Sequence, residues 1–334
     1  MSTELVTGPA LERLAGLEPV LLESGEELPV HVAYRRVGFG PLRVLLLHAL
    51  TGGPDAADRP TSDGVVKGWW SPLFSSGAPF DPARTTVWTP NLLGSCYGST
   101  GPEPGKPFPA LTPRDQAAAL ASWIRAEGLR FDVVLGGSLG GMVALELALL
   151  EPDRFHRVGV IGAGARADAW IRGANAAQLA VLRSELRDDD AVALARQQAM
   201  LTFRAPESLD RRFPDAAAVQ TWLDHHGKAL AGRFTRESYI ALLQAMDAHD
   251  LGRNRGGTVE ALRGLRASLH VLGIHSDALF TPPLLRELAE AGRAAGVHTS
   301  LHWLRSPHGH DAFLIEWEQV DAWLRTHVLI RAAA

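Results

Sequence analysis

The chain has 334 residues, of which 46% are hydrophobic and 21% charged, and 33 Lys plus Arg stand against 37 Asp plus Glu for a formal net charge of −4. That balance suits a soluble globular protein of one or two domains, and with no basic run or basic–aromatic stripe it argues against a nucleic-acid partner. A single cysteine, Cys96, excludes an internal disulfide framework and a multi-cysteine metal site. No apolar stretch approaches the roughly 20 residues that span a bilayer, and the N-terminus lacks a charged-then-apolar leader, so a cytoplasmic protein without membrane contact is expected.

Residues 1 to about 18 carry little pattern and read as a loosely held arm. Val20 to Glu23 and Val30 to Arg35 flank Ser24-Gly25-Glu26-Glu27, which predicts two antiparallel strands around a turn. Arg43 to His48 is a continuous apolar run of the kind that a sheet covered on both faces requires. It ends in His48-Ala49-Leu50-Thr51-Gly52-Gly53, at the carboxyl end of a central strand, where open α/β sheets keep their chemistry. Residues 54 to 82 are rich in Pro, Gly, Asp and Trp, and the pair Trp69-Trp70 reads as packing. Thr85 to Pro90 is a further strand, followed by a long glycine-punctuated loop from Asn91 to Pro102 that is either functional or mere connection. Leu111 to Glu127 opens with Thr112-Pro113, an N-cap and first-turn proline, and continues as an alanine-rich helix.

Phe131 to Leu135 predicts a strand that stops at glycines, and Met142 to Leu150 predicts a helix that starts straight after them. Between lies Gly136-Gly137-Ser138-Leu139-Gly140, the G-x-S-x-G of a nucleophile elbow, in the strand–turn–helix context that the motif needs. Gly136 and Gly140 have a physical task, because so tight a turn strains the serine backbone and leaves no room for Cβ atoms on either side. The backbone N–H groups behind Ser138 open a helix, where partial positive charge favours an anionic intermediate.

Arg157 to Gly162 gives one more strand. From about Asp168 to Glu260 only helical patterning follows, as in Asp189 to Thr202 and Ser238 to Leu243. Strands return at Leu269 to Ile274 and Ser300 to Leu304, with a helix at Pro283 to Ala291 between them, and a last helix is expected from Ala312 to Thr326. The expected architecture is an α/β-hydrolase fold with a mostly parallel central sheet. Its core spans 1–165 and 263–334, and a helical lid insertion spans 166–262, although a bundle serving dimerisation fits the same pattern.

A serine hydroxyl needs a base within hydrogen-bond reach and a third group to orient that base. In α/β-hydrolase order the acid follows the serine and the histidine comes last. Asp277 lies just past the strand ending at Ile274. Ser306-Pro307-His308-Gly309-His310-Asp311 follows the last strand and supplies two histidines, His308 and His310, between which position alone does not choose.

At this point several stretches resemble the homoserine O-acyltransferases of methionine biosynthesis, members of the α/β-hydrolase superfamily. They are His48 to Gly52, Pro90 to Pro102, Gly136 to Met142, Ala199 to Arg204, Ala245 to Arg253 and Gly309 to Glu316. The resemblance implies that His310, in the Gly-His-Asp triplet, is the base. It implies that Asp311 meets an α-amino group and Arg204, in the lid, an α-carboxylate. Backbone N–H groups of Leu139 and, by analogy, Leu50 are implied as the oxyanion hole. Acyl-CoA, expected to be acetyl-CoA, is implied as co-substrate and L-homoserine as acceptor, with no bound cofactor or metal. Members of the family also use succinyl-CoA or accept serine, and an esterase-type hydrolase is the alternative outside it. A homodimer through the helical lid is expected. Phe203 stands where many relatives carry Tyr.

Overall fold

In the computed structural model the described residues are 11–14, 16–213 and 215–330. Twelve strands are described: β1 Glu12–Leu14, β2 Val20–Leu21, β3 Glu27–Leu28, β4 Val32–Gly38, β5 Leu42–Leu47, β6 Arg59–Thr61, β7 Gly64–Val66, β8 Thr85–Pro90, β9 Val133–Gly137, β10 Arg157–Ile161, β11 Ser268–Ile274 and β12 Thr299–Leu304. Eight of them form one sheet in the order β1-β4-β8-β5-β9-β10-β11-β12. β4 runs antiparallel to both neighbours, and every pair from β8 to β12 is parallel.

Strand β5 shows why the fold is two-sided. Leu45 and Leu47 enter one core with Val134, Val158, Val160, Leu269 and Val271. Val44 and Leu46 point the other way, into a second core with Val133, Leu135, Ile161, Leu272 and Ile274. Successive side chains of a strand alternate between faces, so a strand covered on both sides must be apolar throughout. Each fully buried Leu of this kind contributes about 1.5–3 kcal/mol.

The helices are α1 Pro113–Ala126, α2 Leu139–Leu150, α3 Ala169–Leu182, α4 Asp188–Phe203, α5 Pro206–Arg212, α6 Ala216–Ala231, α7 Arg236–Asp247, α8 Thr258–Leu262, α9 Pro282–Ala294 and α10 Trp317–Trp323. Thr112 caps α1 as expected, in a reciprocal capping box with Asp115 and with proline in the first turn. Helices α3 to α8 all lie in the chain between β10 and β11. The start and return of this insertion are laced together: Ala167 N–H donates to His249 O at 3.0 Å and Leu251 N–H to Ala165 O at 2.9 Å.

Three expectations change. The hairpin from Val20 is only the short β2–β3 pair, and Val32–Gly38 instead joins the large sheet, pairing with β8 and β1. The reason is burial: its residues are enclosed almost throughout, and a strand of a detached hairpin would expose one face. Within the supposed N-terminal arm, 1–10 and 15 lie outside the described residues, but Glu12–Leu14 is an edge strand, and Tyr34 OH donates to Glu12 Oε2 at 2.9 Å. The closing helix is broken into a 3₁₀ turn at Gly309–Leu314, then α10, then a π turn at Leu324–Val328. The Phe313 carbonyl accepts from Trp70 Nε1 at 3.0 Å, which takes it out of a continuous helical ladder. Trp70 itself is enclosed and packs on Phe80 and Phe313, so the packing reading of the tryptophan pair holds.

Candidate active site

Ser138 lies between β9 and α2 with φ 53° and ψ −126°, a strained conformation for a residue with a Cβ. The neighbouring glycines make that turn possible. A Cβ on Gly136 would lie 2.2 Å from the Gly140 backbone, and one on Gly140 would lie 2.4 Å from Leu47 O. The elbow is thus pressed against the end of β5, next to the loop that carries Leu50. Leu139 is the first residue of α2, so its N–H has no acceptor within the helix.

The sheet brings Asp277 and His310 to the same corner. His310 Nδ1 lies 2.7 Å from Asp277 Oδ2, with both side chains enclosed. The other carboxylate oxygen of Asp277 accepts from Leu279 N–H at 2.8 Å and Phe280 N–H at 2.9 Å, which fixes its orientation. Ser138 N–H donates to Ile161 O at 2.8 Å, and the next residue, Gly162, faces the dyad. A Cβ on Gly162 would come 3.1 Å from His310 Cε1 and 3.6 Å from Asp277 Oδ2. Phe313 closes the other side, against Gly137 and with its ring centre 5.7 Å from that of His310. Phe280 stacks on the imidazole at 5.2 Å and Phe203 tilts over it at 5.8 Å.

Burial works against a charged His310 and is the largest influence on it, but attraction to Asp277, the hydrogen bond to it and the nearby Asp311 together outweigh burial. The imidazole is held above its ordinary pKa of 6.5. His308 does not share this place: its Nδ1 pairs with Ser208 Oγ of α5 at 2.8 Å, tying the insertion to the loop after β12. Gly309, with φ +66°, allows close docking there, since a Cβ would sit 2.6 Å from Ala205 N.

Arg204 and Asp311 meet each other. Arg204 Nε lies 3.1 Å from Asp311 Oδ2, without the alignment of a hydrogen bond. A second guanidinium, that of Arg196 on α4, escaped the sequence reading. It is half-buried and stacks over the Phe203 ring at 5.1 Å. Burial lowers its pKa most, and Tyr239 and Asp311 offset this in part, while Arg204 and Arg233 add to the lowering. Its position seven residues before Phe203 places it two turns back on the same face of α4, which was the available signal. Arg233, after α6, donates to Thr51 O at 2.8 Å and to Tyr97 OH at 2.7 Å, joining the insertion to the loops after β5 and β8.

A family model described as alpha/beta hydrolase fold matches residues 43–314. A homoserine O-acetyltransferase of Thermus thermophilus is 42% identical over 307 residues, covering 83% of this chain and 79% of that protein. The chain belongs to the homoserine O-acetyltransferase family. Within the solved structures, that of the homoserine O-acetyltransferase from Staphylococcus aureus superposes with a TM-score of 0.81 at 26% identity, covering 96% of this chain and 97% of that one. The L374D mutant of esterase E22 superposes with a TM-score of 0.82 at 17% identity, covering 95% of this chain and 100% of that one, which speaks to the fold alone. Among the described residues no helix is long and apolar enough to cross a membrane, and no group of three or more His, Cys, Asp or Glu is placed to hold a metal ion.

Proposed function

We propose that this enzyme moves an acetyl group from acetyl-CoA to the γ-hydroxyl of L-homoserine, as a step of methionine biosynthesis in the cytoplasm, through an acyl-Ser138 intermediate. The observation that carries this reading is the His310–Asp277 contact of 2.7 Å beside the Ser138 elbow, in a chain of this family. His310 Nε2 takes the proton of Ser138 Oγ as the oxygen attacks the thioester carbonyl, and Asp277 stabilises the imidazolium. The N–H groups of Leu139 and Leu50 receive the oxyanion. The C–S bond breaks, and the proton on His310 leaves with the CoA thiol. Homoserine then enters, His310 takes its hydroxyl proton, and the alkoxide displaces Ser138, which regains a proton from His310. The scheme is ping-pong.

The acceptor is a zwitterion, and the site offers matching charges. Asp311 takes the ammonium and a guanidinium the carboxylate, bidentately. Arg204 is already drawn to Asp311, whereas among the described residues Arg196 meets the Phe203 ring and feels Tyr239 and Asp311 at longer range, so Arg196 shares this role with Arg204. Acetyl-CoA is a co-substrate here, with no resident cofactor or metal. Exposed Trp170, Leu194 and Leu201 on α3 and α4 favour a homodimer through the insertion, acting as a lid. A monomer mass by sedimentation at micromolar concentration would count against it.

Thiol release from acetyl-CoA or succinyl-CoA, each with homoserine, serine or no acceptor, tests the assignment. Release that depends on homoserine and is fastest with acetyl-CoA is expected. Equal release without acceptor would make the protein a hydrolase. Ser138→Ala with near wild-type turnover would sink the acyl-serine scheme.

A further inference from the structure

The loop after β5 holds its carbonyl groups with partners from separate parts of the molecule. Ala49 O accepts from His48 Nδ1 at 2.8 Å and from Gly52 N–H at 2.9 Å. Thr51 O accepts from Arg233 at 2.8 Å and Gly53 O from Trp69 Nε1 at 3.0 Å. His48 is wholly enclosed, and its second ring nitrogen, Nε2, accepts from Leu92 N–H at 3.0 Å. A backbone N–H can only donate, so Nε2 carries no proton and the single ring proton sits on Nδ1, facing the Ala49 carbonyl. Burial, the dominant influence, pushes the His48 pKa down to about 4, so the ring stays in this neutral form at neutral pH.

The described residues contain no cis peptide bond. In a trans peptide the C=O and N–H point in opposite directions. The group that fixes the Ala49 carbonyl therefore fixes the direction of the Leu50 N–H, which belongs to the same rigid plane. We propose that His48 is a positioning residue for the reaction: it aims the Leu50 N–H at the oxyanion by holding the Ala49–Leu50 peptide, and Leu92 holds His48 in the tautomer that can do so. This rests on the reading of Leu50 as an oxyanion donor. Without the His48 bond the Ala49 carbonyl keeps the Gly52 N–H, which belongs to a flexible glycine of the same loop, so the peptide is held less firmly and turns more easily to present its carbonyl oxygen, which would repel the developing charge.

Two near-isosteres separate the two ring nitrogens. Asn at 48 can place an amide N–H where Nδ1 stands but leaves Leu92 N–H unpaired. Gln reaches the position of Nε2 and can accept from Leu92, but offers Ala49 O no donor. His48→Gln is expected to lower kcat roughly 10²-fold, the scale of a lost oxyanion donor, in both the acylation and the deacylation half-reaction, with KM for homoserine unchanged. It should weaken by a similar factor the binding of methylboronic acid, whose tetrahedral adduct with Ser138 occupies the oxyanion site. His48→Asn is expected to stay within about tenfold of wild type in both measurements. Wild-type kcat and boronate affinity in His48→Gln would overturn the proposal. So would equal losses in the two variants, since a packing role does not distinguish the nitrogens, and if the Gln variant does not fold, a roughly 10²-fold loss in a folded Asn variant overturns it alone. An inactive Ser138→Ala enzyme alongside a fully active His48→Gln enzyme removes only the role of His48, whereas an active Ser138→Ala enzyme removes the underlying reading with it.

Discussion

Replacing Asp277 by Asn tests the dyad with little change of shape. Asp277 Oδ1 would still accept from the Leu279 and Phe280 N–H groups, so the loop keeps its anchors. The other arm becomes an NH₂ facing His310 Nδ1, where a carboxylate oxygen lay 2.7 Å away. A donor there forces the ring proton onto Nε2, where it can no longer accept the serine proton. The lost attraction is sizeable: opposite charges about 4 Å apart at an effective dielectric of about 20 attract by about 4 kcal/mol, close to 10³ in rate. The reversed tautomer adds to this, so kcat is expected to fall about 10⁴-fold, the scale known for this substitution in other Ser-His-Asp triads. Initial-rate thiol release measures kcat, and a thermal melt within a few degrees of wild type shows that the fold survived. The pH profile gives a second readout. A base must be unprotonated, so wild-type turnover rises with pH through the His310 pKa, held above 6.5 by Asp277 against burial. With the carboxylate gone, burial prevails and the acid limb of the residual activity moves to lower pH. A folded variant with kcat within tenfold of wild type and an unmoved limb would refute the reasoning.

Acid should unfold the protein early. Burial pushes His48, His249 and His270 down to about 4, so each binds a proton more readily unfolded than folded, and stability falls as pH drops from 6.5 toward 4. At about 3 kcal/mol each, the three approach the whole stability of a domain, and a chemical-denaturation series should show a steep loss between pH 6.5 and 4. Gly136→Ala would drive a Cβ to 2.2 Å from the Gly140 backbone and is expected to cost more than about 3 kcal/mol, read as a large drop in Tm or loss of soluble protein. Arg196→Met should raise KM for homoserine by roughly 10² while single-turnover acylation by acetyl-CoA stays near wild type; a loss confined to acylation would remove Arg196 from the acceptor site.

The parts legible in the sequence were those fixed by local chemistry. The unbroken apolar run of β5, the Thr112-Pro113 opening of α1 and the glycines around Ser138 each state a local demand that only one kind of structure meets. Asp277 was legible from its place after a strand, but the choice of His310 over His308 needed the family likeness, and in space it depends on which ring meets Asp277 and which meets Ser208. Strand partners were harder, because the pairing of Val32–Gly38 with β8 spans some fifty residues and leaves no local trace. The break in the closing helix depends on one distant donor, Trp70, claiming the Phe313 carbonyl. Arg196 leaves no clearer trace: on an isolated helix an arginine reads as a solvated charge, and the place of Phe203, on which its guanidinium stacks, beside His310 depends on how α4 docks.

The laced neck of the insertion, where Ala165–Ala167 and His249–Leu251 exchange backbone bonds, makes the chain leave and re-enter the sheet at a single point. The register of β10 and β11 is set below the neck, so a change of length within the insertion does not alter it, while Ser208 on His308 and Arg233 on Thr51 and Tyr97 tie the insertion to the core at further points. Ser138, Asp277 and His310 lie outside the segment that the neck closes, while Arg196 and Arg204 lie within it. Because Phe203 of the insertion tilts over the His310 ring and Arg204 meets Asp311, any shift about the neck is felt at the His310–Asp277 pair as well as at the two arginines, which couples the mouth of the site to its proton relay.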